Sequence, residues 1–438
     1  MNTKIAMTVV LSMAVASASA AERTYQQKRG IAERLLGSAA QFKKSPSTGS
    51  ISAEIKTLES TAAYTVMGYD GGGFAIIAND DAHDAVVGYS TTSSFAADVP
   101  ALKWYLSMAE KALSAEAKPL RASIPDGCQA SVSHLLTTKW NQDEPYWNKC
   151  PTDNRGNRCY TGCVATGMAQ IMRYYKYPSA GTGKDTIYYN NRPYVADFGS
   201  TSYDWDNMLD TYTGSYTVAQ KLAVATLMYH CGIATNMTYS PNGSGAYLSD
   251  AANGIAAHFG YNTKYYGYKD YPVTDNYDDA AWREVVYREL SANHPILYAG
   301  ASVANGEYNI SYHAFVLDGY DKDGNVGVNW GYGGVGDGYF SLDVLECSAY
   351  TPSEKYTMYH EMVVIHHPDA GAVDYPLSPT GISNIGANAS GDGTTSVYDT
   401  AGRLVYSAPA ASFSTEGIGA RGVFIVRNGG TSRKIVLK

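Results

Sequence analysis

The sequence predicts an α+β protein with a small all-β tail, and three observations predict it. The middle of the chain, about residues 122 to 368, shows helical periodicity first and strand-like runs after. A separate unit precedes it, reading as helix, strands, helix. From about Pro376 the composition shifts to short alternating strands rich in Gly and Ser, with no Cys, His or Trp, which reads as a small β-sandwich.

The first residues, "MNTKIAMTVVLSMAVASASAAERT", have Lys4, a short apolar run and then Ala18-Ser19-Ala20, the small-x-small pattern of a secretory cleavage site. The run is too short for a membrane span, so residues 1–20 read as a signal peptide. "ERTYQQKRGIAERLLGSAAQF" reads as a helix. "AAYTVMGYDGGGFAIIANDDAHDAVVGYS" reads as three strands separated by turns, and "ALKWYLSMAEKALSAEA" as a helix with Leu102, Leu106, Ala109 and Leu113 on one face. The loop "KPLRASIPDG", with Lys118 and Arg121, suits an exposed boundary. In the central region helices are expected over 163–175, about 217–231 closed by Gly232, and about 279–292. Strands are expected at "PILYAG", "YHAFVLDGYD", "NVGVNWGYGG", "GYFSLDVL" and "KYTMYHEMVVIHH".

The net charge of −8 leaves no cationic excess to neutralise phosphates, so nucleic-acid binding is excluded. Tyr is abundant (38) and Phe scarce (9), which favours large half-wet surfaces. There are six cysteines. Export permits disulfides, although a chain of this size does not need them.

The chemistry concentrates in "RCYTGCVATGMAQIMRYY". Val164, Met168, Ile171, Met172 and Tyr175 fall on one helical face, which puts Cys163 in the first turn with Gly162 before it. A thiol there meets unpaired backbone N–H groups and the positive helix end, which lowers its pKa and favours the thiolate. Gly162 leaves room for a substrate backbone.

A thiolate nucleophile needs a proton partner. His366-His367, beside Pro368, reads as surface, while His230 and His258 lie in helical patterns. His313 opens the apolar strand "HAFVLDGY" and lies 150 residues beyond Cys163, the separation expected when the two come from different subdomains of a papain-type enzyme. Sixteen residues further on, Asn329 offers an amide to accept the imidazole N–H, with Trp330 to shield that bond. Gln142, in "TTKWNQDEPYWNKC", is the candidate oxyanion donor together with the Cys163 N–H, and Trp140 packs beside it. No CxxC, HExxH, GxSxG, Walker A or strand-linked GxGxxG pattern occurs, so neither a metal nor a cofactor is expected.

At these residues the sequence resembles the streptopain/interpain family of papain-like bacterial cysteine peptidases. "TTKWNQDEPYWNKCP", "TGCVATGMAQIMRYYKYP", "MTYSPNGSGAY", "YHAFVLDGYD" and "VNWGYGGVGDGYF" occur in the family's order across most of residues 135 to 345. The resemblance implies a papain-like two-subdomain fold made as a zymogen. Residues 21–121, including "GGFAIIANDDAHDAVVGYSTTSSF", are then an inhibitory propeptide, and residues 122–372 the peptidase domain. It implies Cys163 as nucleophile, His313 as general base and acid, Gln142 as oxyanion donor, and Asn329 with Trp330 as histidine support.

The family cuts proteins with a hydrophobic residue preferred at P2. The resemblance implies that the "NGSGA" loop, with Gly243, Ser244 and Gly245, contributes to that pocket. Tyr312 stands before the histidine where streptopain has glycine, so the exact P2 preference does not carry over.

Residues 373–438 resemble the C-terminal sorting domain of type IX secretion, through "VYDTAGRLV" and "RGVFIVRNGGTSRKIVLK". That likeness implies the type IX machinery as a partner. It also implies export through the periplasm of a Gram-negative bacterium to the cell surface or the medium. The rival reading of the tail is a β-sandwich adhesion module.

Two other readings use the same groups: a cysteine amidase or peptidoglycan hydrolase, and an inactive peptidase-fold adhesin. Cys159 and Cys150, nine residues earlier across "PTDNRGNR", are the candidate disulfide pair, a bridge that would brace the loop; a Cys159–Cys163 bridge would silence the enzyme.

Overall fold

The computed structural model describes residues 21–38, 54–114, 123–269, 279–304, 309–345 and 359–373, and four strands between 394 and 437. The signal segment 1–20, the boundary loop holding Lys118 and Arg121, and Cys347 lie outside the described residues.

The N-terminal unit begins with α1 (Tyr25–Leu36). Thr24 and Gln27 close a capping box at its start, satisfying the free amides of the first turn. Four antiparallel strands follow: β1 (Lys56–Ser60), β2 (Tyr64–Gly68), β3 (Phe74–Ala78) and β4 (Val86–Ser90). β2 and β3 are buried at every residue rather than alternately. The cause is cover on both faces. Ile31, Ala32 and Leu36 of α1 pack with Met67, Ala75 and Ile77, while α2 (Pro100–Ser114) packs with Val66, Phe74 and Ile76 on the other side. Pro100 opens α2, where a missing N–H costs nothing.

The helical half of the central region comprises α3 (Cys163–Tyr175), α4 (Val218–Ala234) and α5 (Leu248–Phe259). α4 runs past Gly232, the expected stop. That glycine is a packing position, because a Cβ there would strike the Tyr239 hydroxyl. A hairpin of β5 (Lys184–Tyr189) and β6 (Arg192–Asp197) turns through Asn190 and Asn191, both at positive φ as a tight two-residue turn requires.

The strand half contains β7 (Asn262–Lys269), β8 (Ile296–Ala304), β9 (Asn309–Tyr320), β10 (Asn325–Asn329), β11 (Gly338–Ser341) and β12 (Tyr359–His366). α6 (Asp279–Ser291) and α7 (Leu342–Leu345) accompany them.

All strands from β1 to β12 except the β5–β6 hairpin join one ten-stranded sheet, ordered β1-β2-β3-β4-β11-β10-β9-β8-β12-β7. The seam between N-terminal unit and central region is β4 on β11, with Tyr339 opposite Tyr89 and Phe340 opposite Gly88. Gly88 permits this approach, since a Cβ would sit 2.6 Å from the Phe340 ring. The sheet separates two cores by strand parity. Ile296, Tyr298, Phe315 and Leu317 face α2 and α6. Leu297, Ala299, Ala314 and Val316 face α3, α4 and α5.

The tail strands, β13 (Thr394–Asp399), β14 (Leu404–Pro409), β15 (Gly422–Asn428) and β16 (Thr431–Leu437), form one antiparallel sheet ordered β14-β13-β15-β16. Among the described residues the tail is therefore one sheet, not the expected two. The cysteines at 128, 150, 159, 163 and 231 are all free, so the expected Cys150–Cys159 bridge is absent. The loop between those two residues is closed instead by Arg158 donating to the Cys150 carbonyl (2.7 Å) and by the Cys159 N–H on Pro151 (2.9 Å).

Candidate active site

Cys163 is the first residue of α3, and Gly162 precedes it at φ 87°. A side chain at Gly162 would be strained, and its Cβ would lie 2.6 Å from the Met237 sulfur and 3.1 Å from the Ser244 carbonyl. The loop holding Gly243, Ser244 and Gly245 therefore lies directly beside the start of α3. Ser244 fastens it, donating to the Tyr160 carbonyl (2.7 Å) and accepting the Ser240 N–H (3.0 Å). Gly245 pairs with Thr238. Tyr312, Ala246 and Cys163 border the same apolar cluster as Met237.

The Cys163 thiol receives the Ala314 N–H at 3.4 Å, which brings the start of α3 against β9 one residue from His313. Strand parity places the His313 ring on the other side, with Phe315. It stacks on Phe315 (centroids 6.3 Å) and Tyr332 (5.1 Å). His313 Nε2 lies 2.9 Å from the Trp330 carbonyl, a bond it makes as donor. The thiol therefore touches the residue next to His313, but imidazole and thiol do not hydrogen-bond to each other.

Burial controls the protonation of both. The thiol was expected below its ordinary range; burial instead pushes it above, outweighing the N–H groups of Ala314, Val164 and Cys163 itself. Burial also depresses His313 to about 4, against the pull of the Trp330 carbonyl. At neutral pH this form holds a neutral thiol and a neutral imidazole.

The support expected from Asn329 is corrected. Its amide does not touch His313. Nδ2 donates to the Thr138 carbonyl (2.9 Å), and Oδ1 accepts from Gln170 Nε2 (3.0 Å) and the Gly331 N–H (3.1 Å). Asn329 ends β10 with its side chain turned towards α3, and the next residue's carbonyl takes the histidine. Trp330 thus supports His313 through its main chain, and its own N–H rests on the Asp337 carboxylate (2.9 Å), which also pairs with Lys139 (3.0 Å).

Gln170 escaped the sequence reading. Its signal was a polar residue on the buried face of α3, seven positions after Cys163. Gln142 lies in the preceding loop, where its carbonyl takes the Thr161 N–H (3.1 Å).

Asn329→Ala will leave the buried Gln170 Nε2 and the Gly331 N–H without the Oδ1 that accepts from both. A loss of about 2–3 kcal/mol is expected in thermal or urea unfolding. The pH profile of kcat/KM will stay in place, because the His313 contact is to a backbone carbonyl. A displaced profile in this variant would restore Asn329 as the histidine's partner.

A thiol at a helix start, beside a strand-borne imidazole held by a carbonyl, defines a papain-like cysteine peptidase, here with an N-terminal domain built into its sheet. The chain matches the peptidase C10 family over residues 140–340 and the Spi protease inhibitor family over residues 18–113. It is 33% identical over 304 residues to streptopain of Streptococcus pyogenes, covering 64% of this chain and 73% of streptopain. It is 31% identical over 302 residues to the thiol protease/hemagglutinin PrtT of Porphyromonas gingivalis, covering 62% of this chain and 33% of that protein. A fragment of Prevotella intermedia prointerpain A superposes with a TM-score of 0.61 at 40% identity, covering 71% of this chain and 97% of the fragment. The chain belongs to the peptidase C10 family: it is a cysteine peptidase with an inhibitory Spi propeptide domain, as in a zymogen.

Proposed function

We propose that Cys163 is the nucleophile of a secreted endopeptidase and His313 its general base and acid. On this reading the Cys163 thiolate attacks the scissile carbonyl, and the oxyanion is held by the Cys163 N–H and the Gln142 amide. His313, oriented through the Trp330 carbonyl, protonates the leaving amine and then activates the water that releases the acyl group. Gly162 gives the substrate backbone access. Gly243, Ser244 and Gly245, with Tyr312 opposite, border the pocket for the P2 side chain. The observation that carries the proposal is the contact of Cys163 Sγ with the N–H of Ala314, which brings the helix start to the residue beside His313.

Residues 21–121 are the segment removed on activation, 122–372 the peptidase, and 373–438 the sorting domain that engages type IX secretion in a Gram-negative cell. That last assignment rests on the likeness carried by "VYDTAGRLV" and "RGVFIVRNGGTSRKIVLK".

An epoxide-type thiol inhibitor tests the site. In the matured protein it will attach to Cys163 at neutral pH, with loss of casein hydrolysis. In the full-length chain, whose Cys163 is held above its ordinary range, labelling will be slow and will rise about tenfold per pH unit through neutrality. Labelling elsewhere, or matured protein that releases muropeptides but no casein peptides, would overturn the proposal.

A further inference from the structure

Among the described residues, one group of His and Glu side chains outside the catalytic region is close enough to hold a metal ion. Glu289 near the end of α6, His294 in the turn after it, and His366 at the end of β12 converge. His366 was expected at the surface; it is buried, as is Glu289, while His294 is partly exposed. Glu289 Oε2 lies 3.0 Å from His294 Nδ1 and 2.8 Å from His366 Nε2, and the two imidazole rings are 4.2 Å apart. Oε1 of the same carboxylate is buried and has no hydrogen-bond partner among the described residues.

The tautomer of His366 is constrained by its other nitrogen. Nδ1 lies 3.3 Å from the Gly371 carbonyl, which can only accept, so Nδ1 carries a proton. Nε2 then faces a carboxylate oxygen, and a positive centre must stand between two lone pairs. It is either a second proton or a metal ion.

We propose that Glu289, His294 and His366 form a binding site for one divalent transition metal, with zinc the best fit, distinct from the peptidase centre. Two imidazoles and one carboxylate are a borderline donor set of the kind zinc takes. The three donor atoms lie within 4.8 Å of one another. Ligand bonds of about 2.0–2.2 Å set tetrahedral donor separations of roughly 3.3 Å, so each carboxylate–imidazole gap needs to widen by only a few tenths of an ångström. The Gly371 carbonyl on Nδ1 is the outer contact that orients a metal-binding imidazole. The partly exposed His294 gives an entry path and leaves the fourth position to water. The ion would fasten the end of α6 to β12. No sequence motif announces the site, because His366 is 72 residues beyond His294.

The test uses the full-length chain carrying Cys163→Ala, which removes the reactive thiol and self-cleavage, with zinc chloride alone as probe. One zinc per chain is expected to survive dialysis, raising the melting temperature. His294→Gln and His366→Gln will each lose that ion and the shift. Cobalt in its place will give a nitrogen–oxygen spectrum without thiolate charge transfer. His294 lies on a partly exposed turn, so its variant keeps the fold, and circular dichroism checks this. Zinc content and melting shift unchanged in His294→Gln, a thiolate band with cobalt, or no zinc retained by the parent would each overturn the site. The last outcome would leave a proton-bridged Glu–His pair.

Discussion

Cys163→Ala will lower peptide turnover by roughly 10⁶-fold while leaving the fold intact. The reasoning starts from what the thiol touches. Its sulfur accepts one long N–H contact at 3.4 Å from Ala314, and its residue begins α3 rather than filling the core. Removing the sulfur costs that weak bond, about 1 kcal/mol or less, and the helix keeps its apolar face. In the proposed mechanism, by contrast, all the chemistry passes through the sulfur. His313→Ala should cost about as much, and the double variant little more than either, because nucleophile and base act as one unit. Purified Cys163→Ala that still hydrolyses casein would end the assignment. The adhesin reading makes the opposite prediction, that binding to a host surface survives the substitution unchanged and no peptide is ever released.

Much of this site was legible because its signals are local. Gly162-Cys163 followed by an apolar face at helical spacing set the start of α3, and the structure begins the helix at that residue. The run after His313 read as a strand because it opens with the apolar residues Ala314 to Leu317, and both faces of β9 are indeed covered. What failed depended on direction. Asn329 and Trp330 are neighbours, and spacing alone could not tell that the amide turns to Gln170 while the next carbonyl takes the histidine. The thiol pKa was read from the helix end alone, and burial reversed its sign. Sequence offered no route to the grouping of Glu289, His294 and His366 either, since Glu289 lies in α6, His294 in the turn after it, and His366 at the end of β12, which pairs with β8.

Trp104→Ala in the propeptide will loosen its grip on the peptidase by about 2–3 kcal/mol, raising the population of the open form roughly 30- to 150-fold. Trp104 lies against the backbone at Gly300, where a Cβ would meet the indole at 2.7 Å, and its ring centroid is 6.2 Å from that of Phe315. Gly300 pairs with His313 across β8 and β9, so the indole bears on the strand pair that carries His313. Its neighbour Tyr105 packs on Trp330 (6.1 Å) and Phe340 (4.8 Å), and Ser93 bonds the Gly334 carbonyl (2.9 Å) and the Gly336 N–H (2.7 Å). The propeptide therefore holds the segment whose Trp330 carbonyl orients the histidine.

A buried Trp truncated to Ala ordinarily costs about 3–5 kcal/mol. The smaller value expected here follows from the indole Nε1, which is buried without a partner among the described residues and already detracts about 1–3 kcal/mol from the docked state. Trp104→Phe keeps an apolar ring and removes that donor, so it should hold as tightly as the natural residue. Hydrogen exchange at Tyr339 and Phe340, the β11 residues paired with β4, reads the opening directly in a Cys163→Ala background that cannot cut itself. Faster exchange in Trp104→Ala and not in Trp104→Phe places the lock in the apolar contact of α2. Equal rates in all three would place it in the β4–β11 pairing, which is only two residues long in register and would then have to carry the inhibition by itself.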